Sequence, residues 1–248
     1  MIKKISPIFY LLIILVLFVP NALAAVDITA EVGNSVTIYN VDFWGKNDND
    51  VSGMNFSQAS VDPDNKIVRV RAYSSYSIPF ISPNRQVATG FLTSRVFIRP
   101  GTYTLACKVR VTFNGSYNGL IGSLGIAAGK VELKGIITRG YTKIPVGITE
   151  HMILETGSGG LPSGDVSGTF NKSFETNVPI VGESWGGTAY CDIRFEALAA
   201  AGTSTLRVTG VCDNDFYTGN RNIKLNWIKV EILGPDTARG GGGVGKYR

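Results

Sequence analysis

Apolar and polar residues alternate at period two along most of this chain, the pattern of strands with one buried face. Val26, Ile28, Ala30 and Val32 interleave with Asp27, Thr29 and Glu31, then stop at Gly33-Asn34. Val36 to Phe43 predicts a second strand. In Lys66–Ala72, Val68 and Val70 share one face while Arg69 and Arg71 share the other. Arg95–Arg99 runs into Pro100-Gly101, a pair suited to the centre of a type II turn. The clearest alternation follows. Tyr103, Leu105, Cys107, Val109, Val111 and Phe113 face one way, and Thr104, Ala106, Lys108, Arg110 and Thr112 the other. Further strands are predicted at Leu120–Ala127, Lys130–Thr138, Ile144–Ile148, Ala189–Ala197, Thr205–Cys212 and Asn222–Leu233. No stretch sustains a 3.6-residue period. Glu150–Glu155 has the length of a single helical turn and no more.

Half-polar strands imply antiparallel sheets with one face covered, and two such sheets packed face to face form a sandwich. The fold class is therefore all-β, an antiparallel β-sandwich of the jelly-roll or Ig-like kind. Thr156–Gly168 carries five Gly and Pro162, so it reads as a long loop or as a linker between two smaller sandwiches. The single sandwich, over 25–235, is the favoured reading, with any subdivision near 156–168.

The two ends fall outside this pattern. Residues 1–24 place Lys3-Lys4 before an unbroken apolar run from Ile8 to Val19, then end in Ala22-Leu23-Ala24. That is the form of a secretory signal peptide cleaved before Ala25. The run is too short for a helix crossing the roughly 30 Å hydrocarbon core of a bilayer, so no stable membrane span is expected after cleavage. The expected location is secreted, extracellular or at the cell surface, or periplasmic in a Gram-negative cell. At the other end, 236–248 contains Gly240–Gly243 in a row and predicts a disordered tail.

Charge narrows the class further. The 248-residue chain has a formal net charge of +5. Loss of Lys3 and Lys4 with the leader leaves 22 cations against 19 acids, and Arg239, Lys246 and Arg248 stand in the tail. A body so close to neutral argues against nucleic acid, whose binders cluster Lys and Arg on phosphates.

Of three cysteines, Cys191 and Cys212 lie ten residues either side of the Ala201-Gly202 centre of a candidate hairpin. That spacing puts them opposite one another on one face, and an oxidising compartment would join them in a disulfide. Cys107 lies on the apolar face of its strand and reads as a small buried hydrophobe, or as an intermolecular partner.

Candidate chemistry is sparse. Asp48-Asn49-Asp50-Val51-Ser52-Gly53 has the form of a calcium loop, with Asp48, Asp50 and Ser52 offering alternate oxygens. Position 59, where an EF-hand needs Glu, is Ala, and polar residues of this kind also form plain turns. His151 is the single histidine, and no G-x-S-x-G elbow exists. Asp192-Ile193-Arg194-Phe195-Glu196 approaches the paired carboxylates of a glycosidase strand, but its central Arg suggests charge pairing across strands. Trp185, in a Gly-rich stretch, and Tyr73 and Tyr76 offer flat faces for a sugar ring or a partner side chain. Arg69 and Arg71, with Lys108 and Arg110, would form a basic stripe for an anionic glycan if their strands were neighbours.

The strand Val26–Val32 is similar to the donor strands of pilin-type proteins, which complete a neighbour's sheet. The likeness covers seven residues. Tyr247 is penultimate, as in such proteins, but Gly240–Gly243, Val244 and Gly245 before it form no strand, so the chain is assigned to no family. Self-assembly through Val26–Val32 and a plain first strand both remain open readings.

These observations predict an exported, non-catalytic β-sandwich acting by surface recognition: adhesion, glycan binding or a place in a surface or fibre assembly. Its expected partner is an extracellular glycan or surface protein, and its one candidate cofactor is Ca²⁺. The competing class is a secreted polysaccharide-acting enzyme, glycosidase or lyase, whose carboxylates meet only in three dimensions.

Overall fold

The computed structural model describes residues 26–48, 55–76, 85–102, 106–124, 127–141, 144–157, 164–180, 188–202 and 210–235. The expected leader (1–24), the expected tail (236–248) and Trp185 lie outside the described residues. Two sheets pack face to face as a β-sandwich, all strands and no helix among the described residues. No helix of the described residues is long and apolar enough to cross a membrane.

The six-stranded sheet contains β1 (Val26–Thr29), β3 (Phe43–Asn47), β6 (Arg85–Arg99), β8 (Ala128–Tyr141), β9 (Ile144–Gly157) and β11 (Ala189–Gly202). The seven-stranded sheet contains β2 (Ser35–Ile38), β4 (Asn55–Asp62), β5 (Ile67–Tyr76), β7 (Ala106–Leu124), β10 (Gly164–Pro179), β12 (Gly210–Phe216) and β13 (Asn222–Pro235). In the first, β9, β8, β11 and β6 lie side by side, and one edge of β6 is shared. Residues 89–93 of β6 pair with β3, and 96–99 pair with β1. The β1–β6 pairing is parallel; all the others are antiparallel. In the second sheet, β7 is shared in the same way, by β12 and β13.

The alternation read from the sequence sets what is inside. Val109, Val111 and Phe113 on β7 and Ile193, Phe195 and Ala197 on β11 are all fully buried. The rings of Phe170 and Phe195 stack at 5.5 Å across the two sheets, and Phe113 lies 6.4 Å from Phe195. Val68 and Val70 are buried while Arg69 and Arg71 point outward, as their alternation predicts.

Several expectations are corrected. Cys191 and Cys212 form no disulfide, and all three cysteines are unbridged and buried. The hairpin that would have joined them does not exist. Cys191 stands on β11 between Val96 and Arg139, whereas Cys212 stands on β12, in the other sheet, opposite Ser74 and Ser123. Asn214 Nδ2 reaches both Cys212 Sγ (3.6 Å) and the Ala200 carbonyl (2.7 Å). Cys212 therefore sits by Ala200, nine residues along β11 from Cys191, or about 30 Å at strand rise. The chain crosses from one sheet to the other between Gly202 and Gly210 instead of turning back on itself.

The strand predicted from Val36 to Phe43 is two strands in different sheets, β2 and β3. Glu150–Glu155 is extended within β9, and Leu120–Leu124 continues β7. The long loop at Thr156–Gly168 shrinks, because Gly164–Gly168 pairs with Tyr117–Ile121. Both sheets draw strands from before and after it. The predicted first strand stops at Thr29. The chain then turns, with the Glu31 amide donating to Thr29 O at 2.8 Å and the Asn34 amide to Glu31 O at 3.1 Å, and Gly33 takes φ +85°. Val26–Thr29 thus completes its own sandwich.

Candidate functional site

Pairing register decides which side chains meet on the outer face of the six-stranded sheet, because directly paired residues share a face. Phe43 on β3 faces Thr93 on β6, which faces Arg194 on β11, which faces Ile136 on β8. One row along, Arg95 faces Asp192, then Thr138, then Ile148 on β9. On the other side Phe91 faces Glu196, then Lys134, then Met152. Apolar and charged positions are thus interleaved on a face that would ordinarily be merely wet.

An open trough of about 370 Å³ lies across this face. Its rim at β3 is Phe43, 52% exposed; Trp44 borders the cavity too, but it pairs with the buried Leu92, which sets its side chain on the opposite face of β3. Its floor crosses three more strands: Phe91, Thr93 and Arg95 of β6, Asp192 and Arg194 of β11, and Thr138 of β8. Gly45 lets β3 lie close, since a Cβ there would come within 2.7 Å of the Phe91 ring.

The charges of the trough are matched internally. Arg95 donates from Nε and Nη2 to the two oxygens of Asp192 at 2.6 and 2.7 Å, a bidentate pair. That pair, outweighing the desolvation of the guanidinium, holds Arg95 charged above even its usual range. The same guanidinium lies 4.5 Å over the Tyr190 ring and 5.5 Å from that of Phe43. Arg194 lies 4.1 Å over Phe91 and 3.7 Å from Glu196. Planar cations packed on aromatic faces are fixed at low entropic cost and still present donors outward. Burial pushes the Glu196 carboxyl up, against the pull of Arg194 and Lys134, and Glu150 adds to the rise. Asp42, just before β3, accepts the Arg95 amide at 2.6 Å and donates its own amide to Thr93 O at 2.9 Å, pinning the aromatic rim to β6.

The residues singled out from the sequence lie elsewhere. Arg69, Arg71 and Tyr73 stand on β5, on the outer face of the other sheet, and Tyr76 ends that strand. Tyr73 stacks on Phe56 at 5.2 Å, and Arg71 lies 5.0 Å over the same ring. Arg71 is committed to Asp213 at 3.1 and 2.9 Å. The basic stripe does not form, because β12 and β13 separate β5 from β7. Lys108 and Arg110 are instead bridged by Glu175 at 2.5 and 2.9 Å. Asp48 accepts from Lys46 Nζ at 3.0 Å and from the Ala59 amide at 2.8 Å, closing the start of its loop, while Asp50 and Ser52 lie outside the described residues. Among the described residues no three His, Cys, Asp or Glu side chains gather as metal ligands. His151 stacks on Phe174 at 4.4 Å where β9 meets β10, and burial lowers its pKa.

Sequence reasoning passed over Phe43, Trp44, Phe91 and Arg95. Phe43 was the end of a supposed longer strand, and only the last third of β6 had been read as a strand. The Asp-x-Arg-x-Glu run of β11 was the available signal, and it does take part in cross-strand pairing: Asp192 with Arg95 of β6.

No family model matches the sequence, and no curated protein matches it. Among solved structures, the chain is similar to the CBM22-2 xylan-binding domain from Paenibacillus barcinonensis Xyn10C. The identity is 11%, the TM-score 0.20, and the match covers 78% of this chain and 94% of that one. A likeness of that size assigns no ligand.

Proposed function

We propose that this protein works outside the cytoplasm as a non-catalytic recognition module, and that its trough binds a glycan. The observation that carries the reading is the meeting of exposed Phe43 with the oriented donors and acceptors of Arg95, Asp192 and Arg194 in one open cavity. A sugar ring offers an apolar face bordered by hydroxyls. An aromatic rim suits the former and fixed polar groups suit the latter. Strand donation is less well supported, since Val26–Thr29 would first have to leave β6.

A screen of the mature protein on a glycan array, followed by titration of the hits, tests the reading. Phe43→Ala should weaken binding roughly tenfold or more, the scale of a truncated anchor residue. Lys224→Ala, on the other sheet, should leave it unchanged. Silence across the array, or indifference to Phe43→Ala, would sink the proposal.

The competing enzyme reading has one observation in its favour. Glu196, with its raised carboxyl, stands near Glu150 on the same face. It predicts release of reducing sugar ends from a polysaccharide, abolished by Glu196→Gln. Against it, the one carboxylate lining the trough among the described residues is Asp192, which Arg95 already occupies. Glycosidic cleavage needs two.

A further inference from the structure

The trough runs across the strands. Its floor passes from β3 over β6 and β11 to β8, and the register carries the same line one strand further, because Thr138 pairs with Ile148 of β9. Ile148 is 66% exposed, and Met152 beside it on the same face is 42% exposed. The face thus has two exposed apolar rims on opposite edges of the sheet, with polar and charged groups between. From β3 to β9 is four strand spacings, about 19 Å. That length exceeds a disaccharide.

Charge sets the chemistry of whatever fills it. Each arginine of the floor is answered by a carboxylate of its own, Arg95 by Asp192 at 2.6 Å and Arg194 by Glu196 at 3.7 Å. An anionic ligand would have to displace those carboxylates and a cationic one those guanidiniums. An uncharged, hydroxyl-rich chain needs to displace neither, and can hydrogen-bond to the outward atoms of both.

We propose that the ligand is the interior of an uncharged polysaccharide, laid across the strands from Phe43 on one edge to Ile148 and Met152 on the other. This rests on the glycan-binding reading above and adds length, direction and charge to it. Because the floor is open at both rims, the chain continues past them, so neither end of the polymer is needed for recognition.

The test is calorimetric titration of the mature protein with neutral oligosaccharide ladders, cello-, xylo- and manno-series, from disaccharide to hexasaccharide, beside a polygalacturonate ladder of the same lengths. At least one neutral ladder should gain tenfold or more in affinity between its shortest and longest members. Reducing the chain end should not matter. Ile148→Asp should remove most of the gain, and Ile148→Ala part of it. Both sit on an exposed edge, and an unchanged thermal midpoint would establish that the fold is intact. A neutral ladder that binds equally at every length, or a gain untouched by Ile148→Asp, overturns this inference alone. Preference for the anionic ladder also overturns it. Absence of binding to every ladder overturns the glycan reading with it.

Discussion

Cys107, Cys191 and Cys212 are fully buried, out of reach of solvent. Burial pushes the Cys107 thiol up to about 11, and burial also raises Cys191 strongly, with Cys107 nearby adding to the rise. Thiolate is the reactive form, so Cys107 and Cys191 stay as thiols at pH 8 in the folded state, and burial screens all three sulfurs from reagent. Iodoacetamide should therefore leave native protein unmodified, and three adducts should appear on unfolding without reductant. Any adduct count below three would reveal a bridge. At this scale the sequence was legible where alternation was regular. It placed Cys107 and Cys191 on inward faces correctly. It misled over Cys191 and Cys212, because equal spacing about Ala201-Gly202 fits a hairpin and a crossover alike.

Between β12 and β13 the decisive group is Asp215, 1% exposed. Burial alone would raise its carboxyl. Hydrogen bonds from the Thr218 hydroxyl and the amides of Thr218 and Tyr217, and the charge of Arg71, overcome that and hold it below the ordinary carboxylate range. Arg221 adds an ion pair at 2.8 Å. A carboxyl lowered by folding stabilises the protein above its unfolded pKa, and that contribution fades as pH falls through the lowered value. Asp215→Asn should cost about 3 kcal/mol near neutral pH, as expected when a buried charge pair loses one partner. The gap from wild type should narrow as denaturant titrations move to acid. A gap that stays constant with pH would contradict this account. Elements themselves were read well where they alternate and badly where they do not. Within β3 the burial pattern is nearly uniform, so no period betrays it, and β10 begins among glycines that look like a loop.

Across the whole molecule, each sheet interleaves strands from both halves of the sequence. β11 lies between β6 and β8, and β10 pairs along sixteen residues with β7. Neither half can bury its faces alone, so unfolding should be one cooperative transition. A protease site placed within 158–163 and cut should leave two pieces that elute together and melt together. Separate elution under native conditions would refute the prediction. Strand order of this kind was not legible. Alternation reports which face is buried and says nothing of which neighbour lies alongside, and the trough depends on neighbours. Phe43, Thr93, Arg194 and Ile136 come from four strands spread over 152 residues of sequence (43–194).

The parallel pairing of β1 fixes where the N-terminal chain departs. Val26 stands opposite Val96, next to Arg95 in the trough floor. The floor of the trough therefore borders the shortest pairing in its sheet, four residue pairs long, and keeps its shape only while that edge stays closed.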